Sequence, residues 1–276
     1  MEAMSMMLIM AAGLALMLAQ MAFLWGIHLR IRNAAVVDVG WAAGLGLLAA
    51  LDAGFGAAPP FRRILLLVLA GIWAFRLAWH LWRDRVANGT PEEGRYVYLR
   101  AHWGARADFY FLWFFLGQGF LNVLLAIPFL LVACNPSPGV SPLEIAGAAL
   151  WIVAVAGESL ADAQLKAFKS GQANKGLVCR AGLWNLSRHP NYFCEWLVWC
   201  AYALLALGAP HGALGLLSPA IILFLLLKVS GIPPTEKQAL RSRGAAYARY
   251  QNEVSVFFPW FPKPAAQAAS APRSGS

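Results

Sequence analysis

Charge is what this sequence has least of: Asp, Glu, Lys and Arg make up 13% of its 276 residues, against about 25% in soluble domains. With 60% hydrophobic residues and a mean hydropathy of +0.58, the chain reads as a membrane protein. Apolar runs recur from Met4 to Ile232 and leave no stretch for an appended soluble domain. No GxGxxG follows a strand signal and no GxxxxGK[ST] occurs, which excludes Rossmann and P-loop nucleotide binding. The four cysteines, Cys134, Cys179, Cys194 and Cys200, form no CxxC pair, and the five histidines are scattered, so neither a disulfide framework nor a metal site is expected. No Lys or Arg precedes the first apolar run, which carries Glu2 instead and is too long for a secretory signal; it reads as a retained span.

Spans need about 20 apolar residues each. Seven are expected, near 4–26, 34–54, 61–82, 109–133, 143–166, 190–208 and 211–232, in one integral membrane domain over 1–262. The end, "PAAQAASAPRSGS", is low in complexity, and a disordered tail is expected over 263–276. Of the 22 basic residues, all but Arg62, Arg63 and the mid-span Arg76 fall in connections on one side of that arrangement. The positive-inside rule makes this side cytoplasmic. The expected location is a bacterial inner membrane, N-terminus outside and C-terminus in the cytoplasm. The basic connections are read as meeting phosphates or anionic lipid, with no nucleic-acid partner; the oligomeric state is not readable.

The polar groups within the spans are ordered. Glu158, Asp162, Lys166 and Lys169 recur at helical spacing on one face of the fifth span. In "GLWNLSRHPNYFCEW", Gly182–Trp196, Arg188, His189, Asn191, Tyr192 and Glu195 crowd the mouth of the sixth. Asn191, Glu195 and Tyr202 share one face, and Ser187 is a suitable N-cap ahead of Pro190. Arg76, His80 and Arg83 line the end of the third span, and Asp38 lies about one turn inside the second. Buried charges cost ~2.5 kcal/mol or more at mid-membrane and are functional candidates by default. Some have plainer uses, since Lys and Arg near span ends snorkel and Asp162 with Lys166 makes an ordinary helical ion pair. All these groups lie in the basic-side half of their helices, and a polar cavity opening to the cytoplasm is expected. Gly40 and Gly44 form a small-xxx-small contact for helix packing.

The segment "GLWNLSRHPNYFCEWLVWCAYAL", preceded by "GESLADAQLKAFK" and followed by "EKQALRSRGAAYARYQNEVSVFFPW", resembles the steroid 5α-reductase-like superfamily, in particular its bacterial branch of domains of unknown function. The likeness covers roughly 90–262, "EEGRYVYLRAHWG" included. It implies an all-α, seven-helix membrane enzyme that uses NADPH to reduce a carbon–carbon double bond conjugated to a ketone. It also implies that Asp162, Lys166 and Lys169 line the cofactor cavity and that Asn191 and Glu195 hold the nicotinamide end. Glu158, Arg188, His189 and Tyr192 belong to the same site, and Tyr247 and Tyr250 to a segment closing over the nucleotide. The chain departs from the steroid reductases in lacking their Gln-Glu pair on helix two, in having Trp73 near the place of a helix-three Tyr, and in having Val254 where a basic residue follows the tail Tyr.

On this reading Asp38, kept protonated by desolvation, donates to the carbonyl oxygen, a Tyr (Tyr96 or Tyr98) or water protonates the α-carbon, and a lipophilic, steroid- or isoprenoid-like substrate enters from the bilayer. The catalytic candidates are Asp38, Tyr96 and Glu195. "RHPNY" and the tail also resemble the isoprenylcysteine carboxyl methyltransferases, which use S-adenosylmethionine, although those usually have Gly where Cys194 stands. A non-catalytic transport or binding protein is a third reading of the buried charges.

Overall fold

A computed structural model describes residues 2–87 and 91–264, with side chains from Met6 onward. Apart from Lys263 and Pro264, the tail expected to be disordered lies outside the described residues. Among the described residues all regular structure is helical, and the chain is an all-α polytopic membrane protein. The helices are α1 (Glu2–Ile31), α2 (Val36–Phe55), α3 (Pro60–Arg85), α4 (Gly94–Trp103), α5 (Ala107–Leu125), α6 (Ile127–Ala133), α7 (Pro142–Ser170), α8 (Pro190–Leu207), α9 (Leu217–Phe224) and α10 (Ile232–Glu253).

Six stretches are long and apolar enough to cross a membrane: Met6–Ile31, Val36–Phe55, Pro60–Arg85, Gly94–Leu125, Pro142–Ser170 and Gly212–Glu253. Helix α8, the sixth of the seven expected spans, is not among them. Its first turns carry Asn191, Tyr192 and Glu195, and that polarity dilutes the apolar run behind it. The expected boundaries also move. Helix α1 runs on through His28 and Arg30, α7 continues past Lys166 to Ser170, and a π turn (Leu225–Val229) follows α9 ahead of α10.

The chain divides into two compact units. The first holds the residues up to Ala148 together with Tyr202–Ser218; the second holds Ala149–Ala201 and the residues from Pro219 on.

In the first unit α2 is the central helix, packed on α1, α3, α5 and α6. The expected Gly40 and Gly44 contact is there. A Cβ on Gly40 would overlap the Leu24 side chain, and one on Gly44 would lie 2.6 Å from Asn122 Nδ2, 2.8 Å from Gln20 Oε1 and 2.9 Å from Met17 Sδ. Without side chains at these positions the backbones come close enough for polar cross-links. Gln20 Nε2 donates to the Gly40 carbonyl at 3.0 Å, and Asn122 Nδ2 to the Trp41 carbonyl at 3.1 Å. Pro128, which has no N–H to give, separates α5 from α6. Phe129 N bonds the Ala126 carbonyl at 2.9 Å, and the Leu125 carbonyl accepts from Ser218 Oγ at 3.0 Å.

Arg62 and Glu144 meet inside the same unit. Their side chains are 1% and 2% exposed. The guanidinium donates to both Glu144 oxygens and to the carbonyls of Asn135 (3.0 Å), Ser137 (2.7 Å) and Gly139 (2.8 Å). Sequence reading placed Arg62 among simple connection charges. It is instead the internal brace of the turn between α6 and α7, because a buried cation must have acceptors on every side.

In the second unit, Gly157 on α7 lets α8 approach: a Cβ there would lie 2.8 Å from Cys194 Sγ. The connection from α7 to α8 folds back on α7, with Trp184 Nε1 donating to the Ala161 carbonyl at 2.9 Å and Gln164 Oε1 accepting from Leu183 N at 3.0 Å. Gly182 has φ +54° and sits against the Gln164 amide, a combination that only glycine meets without strain.

Two outcomes follow for the first unit. Glu144→Gln strips the counter-ion from a buried guanidinium and is expected to cost about 3–5 kcal/mol. The pair replacement Arg62→Met with Glu144→Leu recovers only part of this, since three carbonyls lose their donor. Gly44→Leu overpacks the α1, α2 and α5 contact and is expected to cost about 1–3 kcal/mol. Unfolding in detergent, followed by tryptophan fluorescence, measures both.

Candidate functional site

The mouth of α8 is built from its cap outward. His189 is the N-cap: its carbonyl accepts from Phe193 N at 3.1 Å, and Pro190 occupies the first helical position. Ser187, expected in that role, lies two residues earlier and is fully buried. Its Oγ accepts from His189 N at 3.1 Å and donates to the Phe257 carbonyl at 2.8 Å, so it fixes the approach to the helix.

The expected α7 and α8 faces do come together within this unit. Asn191 Nδ2 donates to Asp162 Oδ1 at 3.2 Å, while Asn191 Oδ1 accepts from Tyr192 N at 3.0 Å. One turn on, Glu195 accepts from Trp199 Nε1 at 3.0 Å. Of the α7 face, Glu158 is buried, Asp162 half-buried, and Lys166 and Lys169 are exposed. A carboxyl and a carboxamide therefore lie in contact on two helices, with two exposed lysines further along α7.

Arg188 has another position. Its Nε donates to Glu236 at 2.6 Å and its Nη1 to the carbonyls of Gln251 (2.9 Å) and Val254 (2.8 Å). Glu236 also accepts from Gln251 Nε2 at 2.9 Å and Tyr247 Oη at 3.5 Å, and lies 3.3 Å from His189 Nε2. Tyr250 Oη donates to the Trp184 carbonyl, with the Ser187 carbonyl 3.3 Å away. His189 stacks on Tyr192, whose hydroxyl lies 3.3 Å from Thr235 Oγ1. Arg188, His189, Tyr247 and Tyr250, all expected to touch a nucleotide, are engaged with one another and with the backbone. They lock α10 and the following chain onto the start of α8.

Sequence reading missed Glu236 and Gln251, the acceptor and donor that close this lock. The available signal was the position of Glu236 in the first turns after "GIPP", where a carboxylate suits a helix N-terminus.

The first unit holds a separate polar cluster. Asp38 accepts from Arg85, from Arg95 Nη2 at 2.9 Å to each oxygen, and from Tyr96 Oη at 2.7 Å. Arg95 also donates to Tyr96 Oη at 2.8 Å and lies over its ring. Two catalytic candidates, Asp38 and Tyr96, are thus in direct contact. Both Asp38 oxygens accept hydrogen bonds here, from guanidinium groups and a phenol. Tyr98 is 68% exposed and stacks on His102, apart from this cluster.

Neighbouring Glu92 accepts from Ala34 N at 2.7 Å and from Arg100 at 2.9 Å and 3.1 Å, tying the connection before α4 to the start of α2. Burial opposes its charge, but Arg100 and the Ala34 amide hold its carboxyl below the usual range. At the far end of α2, Asp52, also unremarked in the sequence, is 4% exposed in a crevice otherwise lined by Ile9, Met10, Gly13, Leu48, Val123, Ala126, Ile127 and Leu130.

The family model described as "Protein of unknown function (DUF1295)" matches residues 24–254, and the chain belongs to that family. No curated protein and no solved structure matches it. The matched residues include both polar clusters and the Glu236 lock.

Glu236→Gln keeps the shape of the lock but removes the charge facing Arg188, whose side chain is 10% exposed. The expected cost is about 2–4 kcal/mol. Trypsin cleavage after Lys237, Arg241 and Arg243 should accelerate well before global unfolding, and the fragment pattern by mass spectrometry checks it.

Proposed function

We propose that this chain is an integral-membrane oxidoreductase that uses NADPH to reduce an activated carbon–carbon double bond, such as that of an enone, in a lipophilic substrate. The observation that carries the reading is the contact between Asp162 and Asn191 in the second unit. A carboxamide ligand offers one donor and one acceptor face, and a carboxylate beside an amide complements both. The likeness of the segment around this contact to the steroid 5α-reductase-like superfamily supports the same conclusion.

The residues present fit the cofactor in a defined way. Asn191, Asp162 and Glu195 would hold the nicotinamide carboxamide, and the exposed Lys166 and Lys169 would face the phosphates as mobile point charges. When bound, NADPH supplies the hydride. Glu158 stiffens the buried side of the α7 face. Arg188, His189, Tyr247 and Tyr250 hold the mouth in shape, with Tyr192 presenting its hydroxyl beside Thr235.

In the first unit, the Tyr96 hydroxyl is the hydrogen-bearing group of the Asp38 cluster. Within that cluster Arg85 and Arg95 balance the Asp38 carboxyl group, and Asp38 orients the phenol. The basic helix ends are assigned to the cytoplasm of a bacterial inner membrane, with the N-terminus outside and the C-terminus inside.

Calorimetric titration of the detergent-purified full chain tests the proposal. Saturable NADPH binding is expected, weakened at least tenfold, about 1.4 kcal/mol, in Asn191→Ala and in Asp162→Ala. The Lys166→Ala, Lys169→Ala pair is expected to reduce the preference for NADPH over the free nicotinamide nucleoside. Binding of S-adenosylmethionine without NADPH would replace this reading with a methyltransferase; binding of neither would overturn both.

A further inference from the structure

Among the described residues, 254–264 form no further helix, yet this segment is held firmly. Arg188 N donates to the Ser255 carbonyl at 2.8 Å, Ser187 Oγ to the Phe257 carbonyl at 2.8 Å, Trp260 N to the Leu186 carbonyl at 2.9 Å and Lys263 N to the Glu253 carbonyl at 2.8 Å. Pro259 and Pro262 stiffen it further by fixing φ. The result is a looped strap, its end returning to the Glu253 carbonyl, laid against residues 186–188, immediately ahead of α8.

The strap has two faces. Val254 and Phe257 are buried, and the Phe257 ring lies 5.6 Å from Phe193 and 6.0 Å from Trp196 of α8. Phe258, Trp260 and Phe261 point outward and are 56%, 74% and 80% exposed. Phe258 also lies 5.8 Å from Phe193 and 5.9 Å from Trp196, which carries the aromatic strip onto the first turns of α8. Lys263 ends it with a cation. Three large exposed aromatics within four residues of a segment held by backbone hydrogen bonds are a standing apolar surface. Trp and Phe flanked by Lys at the start of an apolar helix match the chemistry of the bilayer's headgroup zone, where ring faces meet acyl chains and the cation meets phosphate. A soluble protein partner would not need the strip to continue along an apolar helix.

We propose that Phe258, Trp260 and Phe261 form a non-helical anchor that lies in the headgroup region of the bilayer and fixes the depth of the Asn191–Glu195 mouth. The hydrogen bonds from residues 186–188 transmit that depth directly to the helix start. The anchor stands whether or not the mouth binds NADPH.

The test uses the full chain with its four free cysteines replaced by Ala and Trp260→Cys carrying a bimane dye. The protein is placed in phosphatidylcholine–phosphatidylglycerol liposomes. Headgroup and 5-doxyl spin labels are expected to quench at least twofold more strongly than a 12-doxyl label, with iodide quenching severalfold below that of free dye. Quenching by iodide alone, strongest quenching by 12-doxyl, or protection from every quencher would each overturn the anchor, placing the strap in water, in hydrocarbon or under protein respectively. Should the cysteine-free chain fail to fold, hydrogen exchange of the unmodified protein decides. Amides of the strap are expected to exchange at least tenfold more slowly in liposomes than in lipid-free amphipol, and equal rates would overturn the proposal.

Discussion

A guanidinium removed from water must be surrounded by acceptors, and in the second unit that demand organises everything near the mouth of α8. Arg188 takes a carboxylate from α10 and two carbonyls from the residues that end it. Those acceptors are far apart in the chain, so satisfying one cation draws together the start of α8, the first turns of α10 and the residues after Glu253. Glu236 is the converse case. A carboxylate with little access to water is stable there because Arg188, Gln251 and Tyr247 all donate to it. Removing either member leaves the other as an unpaired charge, and the cost of that state, more than the strength of the pair, makes the arrangement obligatory.

The first unit uses the same rule twice with different results. Arg62 and Glu144 are almost fully enclosed and brace a turn; every guanidinium hydrogen bond is directed to a carbonyl or to Glu144. Asp38 is more open, at 18% side-chain exposure, and carries a mobile hydrogen in its shell, that of Tyr96. A closed ion pair with no titrating neighbour has a structural role. The Asp38 cluster instead joins a carboxyl group, two guanidinium groups and a fully buried phenol.

How much of this was legible follows from which interactions are local in sequence. Helix faces are local, so the alignment of Asp162 on α7 and Asn191 and Glu195 on α8 could be read at spacings of four, and the structure places Asp162 and Asn191 in contact. The glycine contact at Gly40 and Gly44 was legible for the same reason. Partners distant in the chain were not. Nothing in "EKQAL" announces that Glu236 will meet Arg188 across 48 positions, or that Arg62 will meet Glu144 across 82. A buried carboxyl such as Asp52 also escapes, because the apolar walls that make it unusual come from α1, α5 and α6. The expected N-cap failed at finer grain: Ser187 has the right chemistry, but Pro190 sets the helix start two residues too late for it to cap.

The lock also decides which groups remain to meet a ligand. Motif likeness alone assigns Arg188, His189, Tyr247 and Tyr250 to a nucleotide, yet each already has a protein partner, and turning Arg188 outward would abandon Glu236 in a poorly hydrated site. In the proposed function a phosphate would therefore be met on the α7 face by Lys166 and Lys169, both exposed. Lysine suits that role because its flexible stem lets the charge follow the ligand, whereas the rigid arginine fork does more where geometry is fixed. Within that proposal, arginines held in the lock build the mouth, and the exposed lysines beside it would meet the anionic ligand.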